Sequence, residues 1–125
     1  MTVSEAITRI DQLKPNQFST EQKTEWLSRL DGMIMQELIR THEQAEEPAP
    51  FTGYDAEEDT GTELLVPFPY DDIYLFWLAS QVDLYNLEYD KYANDSQLYN
   101  NAYQTYSDYY TRTNMPKAAV REFEL

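Results

Sequence analysis

Few side chains in this sequence have the types and spacing that chemistry requires. Its one histidine, His42, has neither a cysteine nor a second histidine with which to share a metal ion, so the sequence predicts no zinc or iron site. His42 lies where the second predicted helix ends, and the helix dipole favours a cationic ring at that position. We therefore expect a capping or surface role for His42.

Carboxylates are abundant, and the stretch DAEEDTGTE, from Asp55 to Glu63, has some likeness to a calcium loop. An EF-hand loop begun at Asp55 requires glycine at its sixth position and glutamate at its twelfth, where this chain has Thr60 and Val66. The EF-hand pattern therefore fails. Weak divalent binding stays an alternative, with the ligands Glu57, Glu58, Asp59 and Glu63.

The sequence also predicts a protein that is not an enzyme. Catalytic carboxyl pairs need contrasting environments beside a concave pocket, whereas most acids here belong to a segment rich in proline and glycine. There are three glycines in all, and no glycine-rich phosphate loop or nucleophile motif is present. An enzyme with an unrecognised site remains the alternative.

Tyrosine is the residue whose placement points most clearly to a function. Eight of the eleven tyrosines lie between Tyr85 and Tyr110, most of them at steps of three or four residues. They could form ordinary core, or they could form an interface between subunits, where tyrosine supplies rigid contact area with a polar tip. We favour the interface. Its predicted residues are Tyr85, Tyr89, Tyr92, Tyr99, Tyr103, Tyr106, Tyr110 and Trp77.

The charge distribution excludes several classes of partner. The net charge is -14, and between Thr41 and Asp90 there are thirteen acids and no Lys or Arg. Such a surface repels nucleic acid and anionic membranes, and tyrosines that stack on bases would need a cationic groove. The simplest interpretation of the acids is a solvated loop that aids solubility.

The elements that position these residues are helical. At 125 residues the chain has the length of a single domain, 1–125. Helical spacing predicts a first helix over TVSEAITRIDQL, capped by Thr2 or Ser4, and a second from about Thr20 to Thr41, capped by Ser19. Residues 43–68 predict a long acidic loop that contains one short extended piece, ELLVP, and residues 114–125 predict an extended tail.

A long tyrosine-rich helix follows the loop. Pro69 suits its first position, and acids at positions 71 and 72 suit its positive end. The sequence ANDS, from Ala93, interrupts it, and Asn94 or Asp95 is expected to start a further helix to about Thr113. Because the tyrosine spacing continues across the interruption, a kink and a reversal at residues 94–96 both stay open.

The predicted architecture is therefore all-α: two shorter N-terminal helices packed on a long, kinked or broken tyrosine-rich helix, with the acidic loop between. The N-terminus lacks a basic start followed by an apolar run, so we expect no secretory signal. No stretch approaches the ~20 apolar residues of a membrane span. We expect a soluble protein made in a cytoplasm.

Residues 24–117 resemble the small head–tail connector proteins of tailed bacteriophages and prophages. The resemblance rests on a helix carrying LDGMI, a variable loop, the stretch VPFPYDDIY, the stretch YANDSQLYNNAY and an ending in YYTRTNMP. It implies an all-helical adaptor that forms a ring of identical copies between the portal protein and the next neck or tail-completion protein. DNA would pass through the channel without being bound. It also implies no reaction, no cofactor and a place in the neck of the virion, after synthesis in the host cytoplasm.

An acidic inhibitor that mimics DNA is the second hypothesis. A small helical chain of net charge -14 could present carboxylates where a basic nucleic-acid-binding site expects phosphates. Mimicry requires acids held on rigid elements, however, and these acids cluster in a predicted loop.

Overall fold

The computed structural model of the protein describes residues 1–117. Within them there are four α-helices and no strand: α1 (Val3–Leu13), α2 (Thr20–Ile34), α3 (Ile73–Tyr85) and α4 (Tyr89–Thr113). A π-helical turn, Met35–Ile39, continues α2. The predicted all-α class is confirmed for these residues.

The first helix begins with a reciprocal cap. Glu5 N donates a hydrogen bond of 3.1 Å to Thr2 Oγ1, and Thr2 N donates one of 2.8 Å to Glu5 Oε1. The helix ends at Leu13, since Pro15 disfavours a helical conformation at Lys14, whose φ of -141° and ψ of 85° are not helical. The buried face has helical spacing and consists of Val3, Ala6, Ile7 and Ile10.

The second helix is capped by Ser19, whose Oγ accepts a hydrogen bond of 3.0 Å from Gln22 N. Its apolar residues recur at the predicted spacing and are buried: Trp26, Leu27, Leu30 and Ile34. A buried lysine links α2 to α1. Lys23 Nζ donates a hydrogen bond of 2.6 Å to Asp11 Oδ1. Burial of each large apolar side chain in this core contributes about 1.5–3 kcal/mol.

The third helix begins later than the prediction that placed Pro69 at its first position. Tyr70 N donates to Pro67 O at 2.9 Å, which closes a separate turn before the helix. The first helical hydrogen bond with four-residue spacing runs from Phe76 N to Asp72 O at 3.2 Å, so α3 begins at Ile73. Unlike α2, α3 is buried on more than one face.

The chain reverses at residues 86–88, which corrects the prediction of a break at residues 94–96. Leu87 adopts a left-handed conformation with φ of 60°. Glu88 N donates a hydrogen bond of 2.9 Å to Asp83 O across the turn. The helix α4 then returns along α3, so that Tyr99 lies against Trp77.

The ANDS segment lies inside α4 instead of starting a helix, so the predicted start at Asn94 or Asp95 is wrong. Asp95 accepts a hydrogen bond of 2.8 Å from Lys14 Nζ, and Ser96 Oγ donates one of 3.3 Å to Ala93 O. Turn-favouring residues cost at most about 0.7 kcal/mol each in a helix interior. The packing of α4 on α3 outweighs that cost.

The acidic loop at residues 43–68 contains no helix or strand, as the sequence pattern indicates. Its end runs beside the start of α1, where Leu64 N donates to Met1 O at 3.0 Å and Thr2 pairs with Glu63 in an isolated bridge. Leu64 and Val66 are buried there, so two residues of the predicted extended piece ELLVP belong to the core.

The segment after α4 lies beside the end of the second helical stretch. Pro116 pairs with His42 in an isolated bridge, and Glu43 N donates to Met115 O at 2.7 Å. Residues 114–117 are therefore extended along the chain near position 42. The rest of the predicted extended tail, residues 118–125, lies outside the described residues.

Candidate functional site

The residues predicted for an interface divide into three groups by burial. Those that the chain itself buries are Tyr106 and Tyr110. Those of intermediate exposure are Trp77, Tyr92, Tyr99 and Tyr103. Those that are exposed are Tyr85 and Tyr89. The stripe is therefore part core and part surface, and its role as an interface stays a prediction.

The buried end of the stripe belongs to the core. Tyr106 packs against Tyr70, with ring centroids 5.7 Å apart, and burial raises the pKa of the Tyr106 phenol to about 12. Tyr110 accepts a hydrogen bond of 3.0 Å from Gln44 Nε2. These two rings attach α4 to the turn before α3 and to the residues after α2.

The single histidine lies at this same end. His42 Nδ1 is 2.7 Å from Leu38 O, and Nε2 is 3.1 Å from Thr111 Oγ1. Its ring packs edge-on against Tyr110, with centroids 5.3 Å apart. The contact with Leu38 O means that His42 caps a helical carbonyl. Because His42 is buried, the predicted alternative of a surface role is wrong.

The middle of the stripe is a half-buried aromatic row. Trp77 Nε1 donates a hydrogen bond of 2.8 Å to Trp26 O, and the Trp77 ring lies 5.1 Å from that of Tyr99. Tyr103 follows at 6.2 Å from Tyr99. Burial raises the pKa of both phenols still further above neutral pH, where a tyrosine hydroxyl is protonated and able to donate in any case.

The outer end of the stripe is an exposed apolar surface at the α3–α4 turn. This turn patch consists of Tyr85, Leu87 and Tyr89, whose exposed fractions are 58%, 69% and 62%. The Tyr85 ring also stacks on Trp26 at 5.6 Å, which holds one side of the patch against α2. Leucine in a left-handed conformation costs about 1–2 kcal/mol, so Leu87 stays in this turn at the expense of stability.

A second exposed aromatic lies at the other end of α3. Phe68 stands between Pro67 and Pro69, and 84% of its surface is exposed. Neither Phe68 nor Leu87 was among the residues predicted from the sequence. The signal for Phe68 was its position between two prolines, which prevents it from joining a helix.

A buried carboxylate ties the acidic loop to the helices. Asp31 lies on the apolar face of α2 and is fully buried. It accepts hydrogen bonds from the hydroxyls of Tyr54 and Tyr74 and, at 3.1 Å, from Leu65 N. Burial raises the pKa of Asp31, and the three hydrogen bonds oppose that rise. The signal in the sequence was an aspartate four residues after Leu27, on the face of α2 that carries the core.

A second charged cluster joins α1 to the α3–α4 turn. Lys14 Nζ donates hydrogen bonds of 2.6 Å to Asp83 and 2.8 Å to Asp95. Asp83 is fully buried, and its Oδ2 has no hydrogen-bond partner. A proton shared between Asp83 and Asp95 would give Oδ2 a partner. Burial and the contact with Asp95 raise the pKa of Asp83 to about 6. For Asp95, burial acts in the opposite direction to its hydrogen bonds, and the net effect lowers its pKa.

Most cations of residues 1–117 already pair with acids of the same chain. Those in ion pairs are Lys14, Lys23, Arg29, Arg40, Lys91 and Lys117. Since the acids outnumber these cations, the surface keeps its negative excess. It offers little to attract nucleic acid.

Two of the predicted divalent ligands, Asp59 and Glu63, have contacts within the chain through their carboxylates, and Asp55, which was not among the predicted ligands, organises the turn next to them. Asp55 Oδ1 accepts hydrogen bonds from the backbone N–H groups of Glu57 and Glu58, and Asp59 Oδ2 accepts one from Asp55 N at 2.6 Å. Glu63 pairs with the N-terminal amine at 3.0 Å. In the described part of the chain, no group of three or more His, Asp or Glu side chains is placed to hold a metal ion.

The chain matches no protein-family model, no curated protein and no solved structure. Across residues 1–117, every helix is too short or too polar to cross a membrane.

Proposed function

We propose that the protein is a structural component of a bacteriophage virion, a head–tail connector. Copies of it join in a ring between the portal protein and the next neck or tail-completion protein, and DNA passes through the channel. The resemblance of residues 24–117 to such connectors motivates the proposal. The observation that carries it is the aromatic surface that α3 and α4 leave open, from Trp77 and Tyr99 to the turn patch.

An aromatic surface of this kind suits contact between proteins. Tyrosine and tryptophan are enriched in interfaces because they bury large areas with little loss of side-chain freedom. Tyr99 and Tyr103 keep protonated hydroxyls that can donate across an interface that still contains water. In the proposed connector, two shorter N-terminal helices support a tyrosine-rich hairpin whose outer face meets neighbouring copies.

The charge of the chain suits a channel for DNA. Most of its cations are held in ion pairs, and the acidic loop adds negative charge. Phosphates that pass such a surface are repelled and do not adhere. The proposed protein acts before assembly in the host cytoplasm and afterwards in the neck of the virion, with no reaction and no cofactor.

Self-assembly is the property to measure first. Light scattering behind size exclusion, over a wide concentration range, should show oligomers. Negative-stain imaging of the largest species should show closed rings with a central hole. The same measurement with purified portal rings tests assembly on a template. A chain that stays monomeric in both settings would remove the proposal.

A DNA-mimicking inhibitor is the second candidate, and one observation favours it. The turn at residues 55–59 is held by hydrogen bonds to the carboxylates of Asp55 and Asp59, so these two acids have defined positions. The chain would then compete with DNA for a basic protein, and the competition would weaken as salt rises. Competition that is absent at low salt would dismiss it.

A further inference from the structure

An open groove lies on the exposed side of α2, beside the stretch of the acidic loop that returns along this helix. Its volume is about 360 Å³, and it is lined by α2 residues between Glu25 and Gly32 and by loop residues 51–53. Gly32 has no side chain, so the Phe51 ring lies 3.8 Å from the place where a Cβ would stand. The two charged residues of the groove, Glu25 and Arg29, pair with each other at 3.0 Å. The groove is therefore electrically balanced and has an aromatic wall.

The wall that the loop provides follows α2 from the end of the helical stretch toward its beginning. Arg40 Nη2 donates a hydrogen bond of 3.2 Å to Ala49 O, and Tyr54 N donates one of 2.8 Å to Ser28 Oγ. Between these contacts the loop passes Gly32. One side of α2 is therefore bordered by the loop from position 40 to the groove.

The chain reaches Lys117 at the point where the loop begins this return. Lys117 N donates a hydrogen bond of 2.8 Å to Thr41 O, and Lys117 Nζ lies 3.5 Å from Glu47 Oε1. Residues 115–117 run antiparallel to residues 41–43. The chain at Lys117 therefore leads back toward the helical residues that precede Thr41.

The next eight residues can reach the groove. Residues 118–125 have the sequence AAVREFEL, with the large apolar side chains of Phe123 and Leu125. An extended chain advances about 3.3 Å per residue, so Phe123 can lie up to about 20 Å beyond Lys117. The helical path from Thr41 back to Gly32 is about 14 Å long. Phe123 can therefore reach the groove of its own chain.

We infer that residues 118–125 bind back along α2 of the same copy, with the Phe123 ring in the groove against Phe51. Two phenyl rings there can pack edge to face, an arrangement that aromatic pairs prefer. The tether through Lys117 makes the contact intramolecular, which raises the concentration of Phe123 at the groove. While these residues are bound, this side of α2 is closed to other proteins. The contact lies within one copy, so it does not rest on the proposed function.

The absence of cysteine from the chain allows a direct test. Thr52→Cys, in the groove wall, is combined with Glu122→Cys, next to Phe123, and the chain is oxidised mildly in dilute solution. Binding holds the two thiols together, so an intramolecular disulfide should form on the order of 10-fold faster than in a control in which Gln104→Cys replaces Thr52→Cys. Gln104 is exposed on α4 and lies about 14 Å of helix before Thr113, so a segment that is not bound would meet either cysteine at a similar distance.

A second pair of variants tests the ring itself. Phe123→Ser, added to the cysteines at positions 52 and 122, should slow the disulfide to the rate of the control. Ala118→Ser should leave the rate unchanged, because residue 118 adjoins Lys117 and lies short of the groove. The contact is overturned if the 52–122 pair reacts no faster than the 104–122 pair, or if Phe123→Ser leaves the rate unchanged. Disulfides that form between copies, and not within one, would also overturn it and would assign the groove to a neighbouring copy. Normal rings together with a failed 52–122 disulfide would overturn this contact alone and leave the proposed function standing.

Discussion

The Tyr74 hydroxyl donates a hydrogen bond of 2.6 Å to Asp31 Oδ1 and accepts one of 2.7 Å from Val66 N. One phenol therefore connects a carboxylate of α2, a residue of α3 and the end of the acidic loop. Both side chains are fully buried. Because buried polar groups are costly unless they are paired, this connection holds the loop to the helices only while each partner is present.

Replacing Asp31 by asparagine should destabilise the protein. The amide has one acceptor oxygen for three donors, so at least one buried hydroxyl or N–H loses its partner. We expect a loss of about 2–4 kcal/mol in the free energy of unfolding, measured by urea denaturation. Glu57→Gln removes an exposed charge from the same loop and serves as the control, with a change within about 0.5 kcal/mol. Equal effects of the two substitutions would mean that Asp31 does not hold the loop.

Replacing Tyr54 by phenylalanine should loosen the loop more than the helices. The ring can still pack on Phe51, while Asp31 loses one donor. Hydrogen exchange should then show faster exchange of the Leu65 amide, by roughly 10-fold, with little change in α3. Tyr70→Phe is the matched control, because that ring stacks on Tyr109 without contacting Asp31. Uniformly faster exchange throughout the chain would contradict a local effect.

The pH dependence of stability should report Asp83. Its pKa is raised to about 6 in the folded protein, so between about pH 4 and 6 the folded state binds more protons than the unfolded state. The contribution of Asp83 to the free energy of unfolding is therefore greatest below that window and falls as the pH rises through it. Asp95 acts in the opposite sense at lower pH, because its pKa is lowered and its contribution is lost on acidification.

Asp83→Asn should remove the fall in the free energy of unfolding that Asp83 causes as the pH rises. The asparagine oxygen can accept from Lys14 and its amide can donate to Asp95, which replaces the shared proton. Urea denaturation should show that, from about pH 4 to pH 7.5, the free energy of unfolding of the variant rises relative to that of the wild type by on the order of 1 kcal/mol. The charge control is Asp90→Asn, an exposed change at the start of α4. If the wild type and Asp83→Asn follow parallel curves, Asp83 is not the titrating group.

The tyrosines of α4 should separate into two classes when each is replaced by alanine. Tyr106 is buried, and its loss should lower the free energy of unfolding by about 3–5 kcal/mol. Tyr103 is half-buried, so its replacement should affect folding less and should weaken assembly by about 1–3 kcal/mol. Urea denaturation and light scattering on the same samples distinguish the two losses. Assembly that survives the removal of both Tyr99 and Tyr103 would contradict an interface at the middle of the stripe.

Local sequence signals determined much of the helical structure. Thr2 and Ser19 cap helices where the pattern predicts them, because a cap involves only residues within one turn. Local composition also accounts for the acidic loop at residues 43–68, because a segment rich in proline, glycine and acids cannot form a regular hydrophobic face. For the candidate site, spacing indicated the tyrosine stripe, because residues three or four apart share a helix face.

Only the tertiary structure decided where the tyrosine-rich segment reverses. Local preference favoured the ANDS segment, yet the turn lies at Leu87, a residue with no turn signal, because packing between α3 and α4 outweighs a few tenths of a kcal/mol of helix propensity. The stripe likewise could not show that Tyr106 is buried while Tyr89 is exposed, since both belong to the same series of three- and four-residue steps. Asp31 and Asp83 acquire their properties from partners more than thirty residues away in the sequence, at Leu65 and at Lys14. Periodicity identifies a helix and its face, whereas the chain's path in three dimensions selects what covers that face.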